Sequence, residues 1–187
     1  MRSPFNFIVK PLNGKRYSNT KEIGGIDFIV STSEEDHRFS NRYAEVVSVP
    51  LNYNGEIVPG DTLLVHHNVF KYYNDMKGRQ RSSWNFFKDD LFFVDEEQFF
   101  LYNHNEKWKS HGRFCFIKPI QIEQTDFYKP GKEQPLIGIV RYSNDELESM
   151  GIFQGDKICF NPESEYEFRS EEHTSELQSR QYLVCRL

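Results

Sequence analysis

His66 and His67 stand side by side, with His104 and His111 further along, and imidazole is the side chain best suited to bind metal or move protons near neutrality. On a strand, however, neighbouring residues point to opposite faces, and no cysteine or carboxylate stands at ligand spacing. The spacing therefore predicts no metal site, and the histidines read as solvated or strand-end residues. The stretch Lys71-Tyr-Tyr-Asn-Asp-Met-Lys-Gly-Arg-Gln-Arg-Ser-Ser-Trp84 interleaves basic and aromatic residues, a mix on which a single nucleic-acid strand can stack. No nucleophile elbow, P-loop or dinucleotide fingerprint occurs anywhere. The expectation is a protein that is not an enzyme and carries no cofactor.

The formal charge of −5 removes the broad positive field that a general nucleic-acid binder needs against phosphate. A nucleic-acid partner is not expected. Cys115, Cys159 and Cys185 are an odd number, widely spaced, without a CxxC pair or a secretory leader, so free thiols in a reducing cytoplasm are the simpler reading. No apolar run approaches the roughly 20 residues that span a bilayer, and no membrane partner is expected.

The elements that would position any site are β-strands. Aromatic residues make up 16% of the chain, and such side chains suit a pleated, half-buried surface better than a helix. The apolar runs are short, β-branched or aromatic, and bounded by turn residues. They also recur. Phe7-Ile-Val-Lys-Pro-Leu12 returns as Phe116-Ile-Lys-Pro-Ile120, Val46-Val-Ser-Val49 as Ile139-Val-Arg-Tyr142, and Val58-Pro-Gly-Asp-Thr-Leu-Leu-Val65 as Phe153-Gln-Gly-Asp-Lys-Ile-Cys-Phe160. Lys10 to Lys118 is an offset of 108 and Gly60 to Gly155 one of 95, so the second copy is shorter by about 13 residues between its first and second strands. Further strands are expected at Asp90 to Val94 and Gln98 to Tyr102, turning at Glu96 and Glu97. A helical turn is expected at Asp145 to Met150, capped by Ser143 or Asn144 and stopped by Gly151. The polar stretch Asn103 to Gly112 reads as a connector between the copies.

The tail is of another kind. Arg169-Ser-Glu-Glu-His-Thr-Ser-Glu-Leu-Gln-Ser179 reads as a translated sequencing adapter, and Leu183-Val-Cys-Arg-Leu187 as its continuation in the same frame. Residues 169–187 are therefore set aside from the fold reading as an artefact.

About 30 residues separate the first strand, ending near Leu12, from the strand beginning at Ala44, a length at which loops in compact domains are usually functional or disordered. The middle reads Thr20-Lys-Glu-Ile-Gly-Gly-Ile-Asp-Phe-Ile-Val30. Ordering it alone costs about 1 to 2 kcal/mol per residue, more than its few apolar side chains return, unless a partner supplies an apolar groove. The alternative is an ordinary extra strand from Ile26 to Val30.

Taken in order, Ile8-Val-Lys-Pro, Lys21-Glu-Ile-Gly-Gly-Ile26, Ala44-Glu-Val-Val-Ser-Val49, Val58-Pro-Gly-Asp-Thr-Leu-Leu-Val65 and the acidic turn into Phe99-Phe-Leu-Tyr102 resemble the GroES-type co-chaperonins. The resemblance implies an all-β fold. A GroES-like small β-barrel would occupy residues 1–105, with a mobile loop at about 18–42 and an enlarged roof-like loop at about 67–90. A second, degenerate and truncated barrel would occupy 106–168. It also implies that the loop docks on the apical domains of a GroEL-like chaperonin, through Gly24, Gly25, Ile26, Asp27, Phe28, Ile29 and Val30. The docking tripeptide is Ile26-Asp27-Phe28 or, because Asp27 departs from the aliphatic pattern, Phe28-Ile29-Val30. In that family ATP is bound by the chaperonin, and the lid is a homo-oligomeric ring of seven. The setting would be the cytoplasm, or the host cytoplasm for a viral version. The rival expectation is a non-catalytic structural or assembly protein that kept the barrel and lost the docking.

Overall fold

The structure is a computed structural model in which residues 2–17, 20–23, 26–29, 39–121, 133–162, 165–169 and 181–186 are described. Among them the regular secondary structure is almost all β-strand, with a single short α-helix and a 3-10 turn at Leu12–Gly14. It divides into two compact units, residues 1–107 and 108–187.

The first unit contains β1 (Phe7–Pro11), β2 (Thr20–Ile23), β3 (Ile26–Ile29), β4 (Tyr43–Ser48), β5 (Thr62–Val65), β6 (Tyr72–Asn74), β7 (Gln80–Ser82), β8 (Phe86–Lys88), β9 (Leu91–Val94) and β10 (Phe99–His104); β11 (Lys107–Ser110) crosses the boundary. Seven of these form one sheet in the order β11-β10-β5-β4-β1-β9-β8. Alternate residues of β1, β4, β5 and β9 feed one core, joined by Phe99 of β10: Phe7 and Val9, Ala44 and Val46, Leu63 and Val65, Phe92 and Val94, and Phe99 are almost completely buried together. That is the period of two expected of strands with one face inward. Phe7 lies at the centre, its ring edge-on to Tyr53 at 4.9 Å and to Phe99 at 5.3 Å.

The sheet is strongly curled. In a flat sheet β9 and β10, four places apart in the order, would be about 19 Å apart. Here a tight turn joins them directly, closed by Gln98 N donating to Asp95 O at 3.1 Å.

Asn103 to Gly112 is not a structureless connector, as its composition suggested. β10 runs on through His104 and folds back into β11, across Asn105 and Glu106, which both adopt positive φ (50° and 62°). Two successive left-handed residues make the turn whose twist matches an antiparallel pair.

The second unit contains β12 (Phe114–Gln121), β13 (Glu133–Tyr142), α1 (Asp145–Ser149), β14 (Lys157–Cys159), β15 (Glu165–Arg169) and β16 (Gln181–Arg186), in a sheet ordered β14-β13-β12-β16-β15. β16 lies within the stretch read as adapter-derived, and its backbone pairs with β12 and β15. Cys115, Ile117, Val140, Leu147 and Phe160 form the core. Asn144 caps α1, its Oδ1 accepting from Leu147 N at 2.8 Å, and its Nδ2 donates to Gly112 O at 2.8 Å.

The same hydrogen bonds recur within each unit, with one block shifted by a residue from its sequence alignment: Val46 corresponds to Val140 rather than to Ile139. Val9 pairs with Val46, and Ile117 with Val140; each ladder shifts register one residue earlier, between Ile8 and Val9 and between Phe116 and Ile117. Val46 N donates to Asp61 O at 2.9 Å and accepts on its carbonyl from Gly60 N at 2.8 Å. Val140 makes the same two bonds with Asp156 O and Gly155 N, both at 2.9 Å. Gly60 and Gly155 take φ of 99° and 97°, a region open to glycine and strained for other residues.

Candidate docking site

The segment expected to dock is a hairpin in its backbone rather than an irregular loop or a single added strand. β2 and β3 pair antiparallel, Thr20 with Ile29, Lys21 with Phe28, Glu22 with Asp27 and Ile23 with Ile26, as a two-stranded sheet separate from the larger one. The glycine pair falls between the matched Ile23 and Ile26, the spacing of a two-residue hairpin. This register puts Ile23, Ile26 and Phe28 at same-face positions and Asp27 at an opposite-face position. Gly24, Gly25 and Val30 lie outside the described residues, as do residues 31–38 and most of the counterpart stretch Gln121 to Gln134.

The two stems of the segment are clasped. Tyr17 and Ser40 form an isolated antiparallel bridge, and Asn41 N donates to Arg16 O at 2.9 Å. The buried Asn41 side chain locks the exit: Nδ2 donates to Leu12 O at 3.1 Å and Lys15 O at 2.7 Å, while Oδ1 accepts from Tyr43 N at 2.9 Å. Ser40 Oγ donates to His67 O at 2.8 Å. Buried polar side chains of this kind are retained when every bond is made.

The entering stem is tied to the β6–β7 hairpin. Arg16 lies with its guanidinium carbon 3.6 Å from the Tyr72 ring centre and 4.9 Å from that of Phe92. Its Nε donates to Phe70 O at 2.9 Å and its Nη1 to Ser82 Oγ at 3.1 Å. Tyr17 stacks on Tyr72, the planes within 9°, and its hydroxyl accepts from Tyr72 N at 2.8 Å. Sequence reasoning missed Arg16, Tyr17 and Asn41 because nothing in their spacing announces a clasp.

The basic, aromatic stretch Lys71 to Trp84 is mostly this hairpin. Tyr73 sits opposite Arg81 on the outward positions, and Tyr72 opposite Ser82 on the inward ones. Asp75 shapes the tip: its Oδ1 accepts from Lys77 N and Arg79 N, both at 2.9 Å. These bonds, with Arg81 beside them, hold its carboxyl below the usual aspartate value. Met76 and Trp84 are completely solvent-exposed.

Of the histidines, His66 and His67 lie together. His66 and His67 follow β5 rather than lying within it, so the rule that neighbours point apart does not apply, and their rings sit 4.1 Å apart. Burial, and then Arg42, lower the His66 pKa. His104 Nδ1 is 3.0 Å from Asp61 Oδ2. His111 is half-buried, and that burial pulls its pKa down to about 4. Among the described residues no three His, Cys, Asp or Glu side chains group closely enough to hold a metal, and no helix is long and apolar enough to cross a membrane.

No family model matches this chain, and no curated protein or solved structure matches it either.

Proposed function

We propose that this protein is a co-chaperonin: a GroES-like lid that caps a chaperonin ring and docks through the β2–β3 hairpin, ATP being handled by the ring. The observation that carries the reading is that hairpin, apart from the main sheet and held on a clasped stem. On its register Ile26 and Phe28 occupy positions on one face while Asp27 occupies the other, so the acidic residue need not enter an apolar groove. Ile23, Ile26 and Phe28 become the anchors, in place of three consecutive residues. The curled sheet of the first unit and the matching Gly-Asp turns of the second support two tandem copies of one small barrel. Weak individual contacts suffice, because a ring of subunits multiplies them through effective concentration.

The test is co-sedimentation of the protein with a GroEL-type ring in the presence of ATP or ADP. Wild type sediments with the ring, and Phe28→Ser and Ile26→Ser do not. No binding in any nucleotide state would remove the lid reading and leave a non-catalytic assembly protein.

A further inference from the structure

Docking through β2–β3 leaves the β6–β7 hairpin unexplained. Residues 72–82 carry three basic side chains and one acidic, a net of +2, whereas the rest of the chain carries −7. The hairpin adds little to the core: Met76, Lys77, Arg79 and Arg81 are exposed, Trp84 is as open as Met76, and Asp75 and the inward positions around Tyr72 and Ser82 are partly covered. What those inward positions touch is the stem of the docking segment, through Arg16 and Tyr17. Its tip is also preformed, since the Asp75 carboxylate holds two backbone amides and Gly78 N donates to Asp75 O at 2.8 Å. A preformed tip loses little conformational freedom on binding.

We infer that the β6–β7 hairpin is a second docking element for the same partner, and that it takes a carboxylate-bearing surface bordering the apolar groove that receives β2–β3. This rests on the lid reading. The two hairpins differ in chemistry: the first has Ile23, Ile26 and Phe28 at same-face positions, with Lys21 paired to Phe28, and the second offers Lys77 and Arg79 at an exposed tip with Met76 between them and Asp75. Charges at such a rim chiefly raise the association rate and confer salt dependence.

The experiment measures binding of the full chain to a GroEL-type ring with nucleotide, at low and at near-physiological salt. The double variants Lys77→Glu/Arg79→Glu and Lys77→Gln/Arg79→Gln are compared with wild type, with thermal melts verifying that each is folded. Charge reversal weakens binding by about tenfold or more at low salt, neutralisation by less, and both flatten the salt dependence. Wild-type binding with both variants unchanged would overturn this inference and leave the lid reading standing. A wild type that does not bind the ring removes the lid reading, and the inference falls with it. A single-stranded oligonucleotide arm follows tryptophan quenching, with Trp84→Phe as control. Quenching through Trp84, with ring binding indifferent to the tip charges, would overturn the inference in favour of nucleic acid.

Discussion

Asp61 and Asp156 do the same work in the two units. Asp61 Oδ2 accepts from Val58 N at 2.9 Å, and Asp156 Oδ2 accepts from Phe153 N at 2.7 Å. Each aspartate also donates its own backbone N–H to the carbonyl of that same residue, at 3.1 Å in both cases. The Asp61 carboxylate additionally meets His104 Nδ1.

Asp61→Ala therefore costs more than Asp156→Ala. The first loses a turn bond and a partly covered contact to His104, about 1 to 2 kcal/mol; the second loses an exposed turn bond, about 0.5 to 1 kcal/mol. Urea denaturation of the two variants beside wild type checks the order, and equal losses would contradict it.

Gly60→Ala and Gly155→Ala should each destabilise by about 1 kcal/mol through backbone strain alone. A Cβ at either place meets nothing within 4 Å, so no clash adds to the cost. A larger loss in the same denaturation experiment would point to a neighbour that this geometry does not contain.

Burial lowers the His111 pKa from 6.5 to about 4, so between those values the unfolded chain binds a proton that the folded one refuses. The contribution is complete above about pH 6.5 and is lost as the pH falls towards 4, on the order of 2 kcal/mol once solvent screening of a half-buried ring is allowed for. Thermal melts from pH 7 to 4 should show this fall, and His111→Gln should flatten it.

Cys115 is buried in the second core, and burial pushes its thiol up to about 12, whereas Cys159 is exposed. In a Cys185→Ser background, native protein treated with an alkylating reagent should be modified at Cys159 and not at Cys115. Peptide mapping reads the site, and fast modification at Cys115 would contradict the packing of β12.

Tyr17→Phe removes the hydroxyl that accepts from Tyr72 N and keeps the ring stacked on Tyr72. The expected cost is about 1 kcal/mol, appearing as faster hydrogen exchange at the Tyr72 amide while the amides of β1 and β4 stay protected. Uniform loss of protection would mean that the clasp holds the whole unit.

The composition and the period-two pattern were enough to read an all-β chain, because inward side chains must alternate wherever one sheet face is covered. The recurrence of Gly60-Asp61 and Gly155-Asp156 was legible for a related reason: a positive φ followed by a carboxylate that bonds back is local chemistry, written in adjacent residues. A cap for α1 at Ser143 or Asn144 was readable in the same way, and the structure decides for Asn144. The glycine pair was harder. The stretch around Gly24-Gly25 was read as part of a mobile loop, but two residues between Ile23 and Ile26 are also the length of a hairpin turn, and only the cross-strand pairing separates the two readings.

By itself, then, the sequence determined that the chain is rich in strands and where its Gly-Asp turns recur, but β6, β7 and β11 were read as loop and connector. Tertiary structure alone decided that Arg16, Tyr17 and Asn41 clasp the stems and that Tyr72, 55 positions from Tyr17, lies against it. Only there does the basic hairpin meet the base of the apolar one. Local pattern records what each residue can pair with along its own strand; it holds no record of which distant strand the curl of the sheet brings alongside.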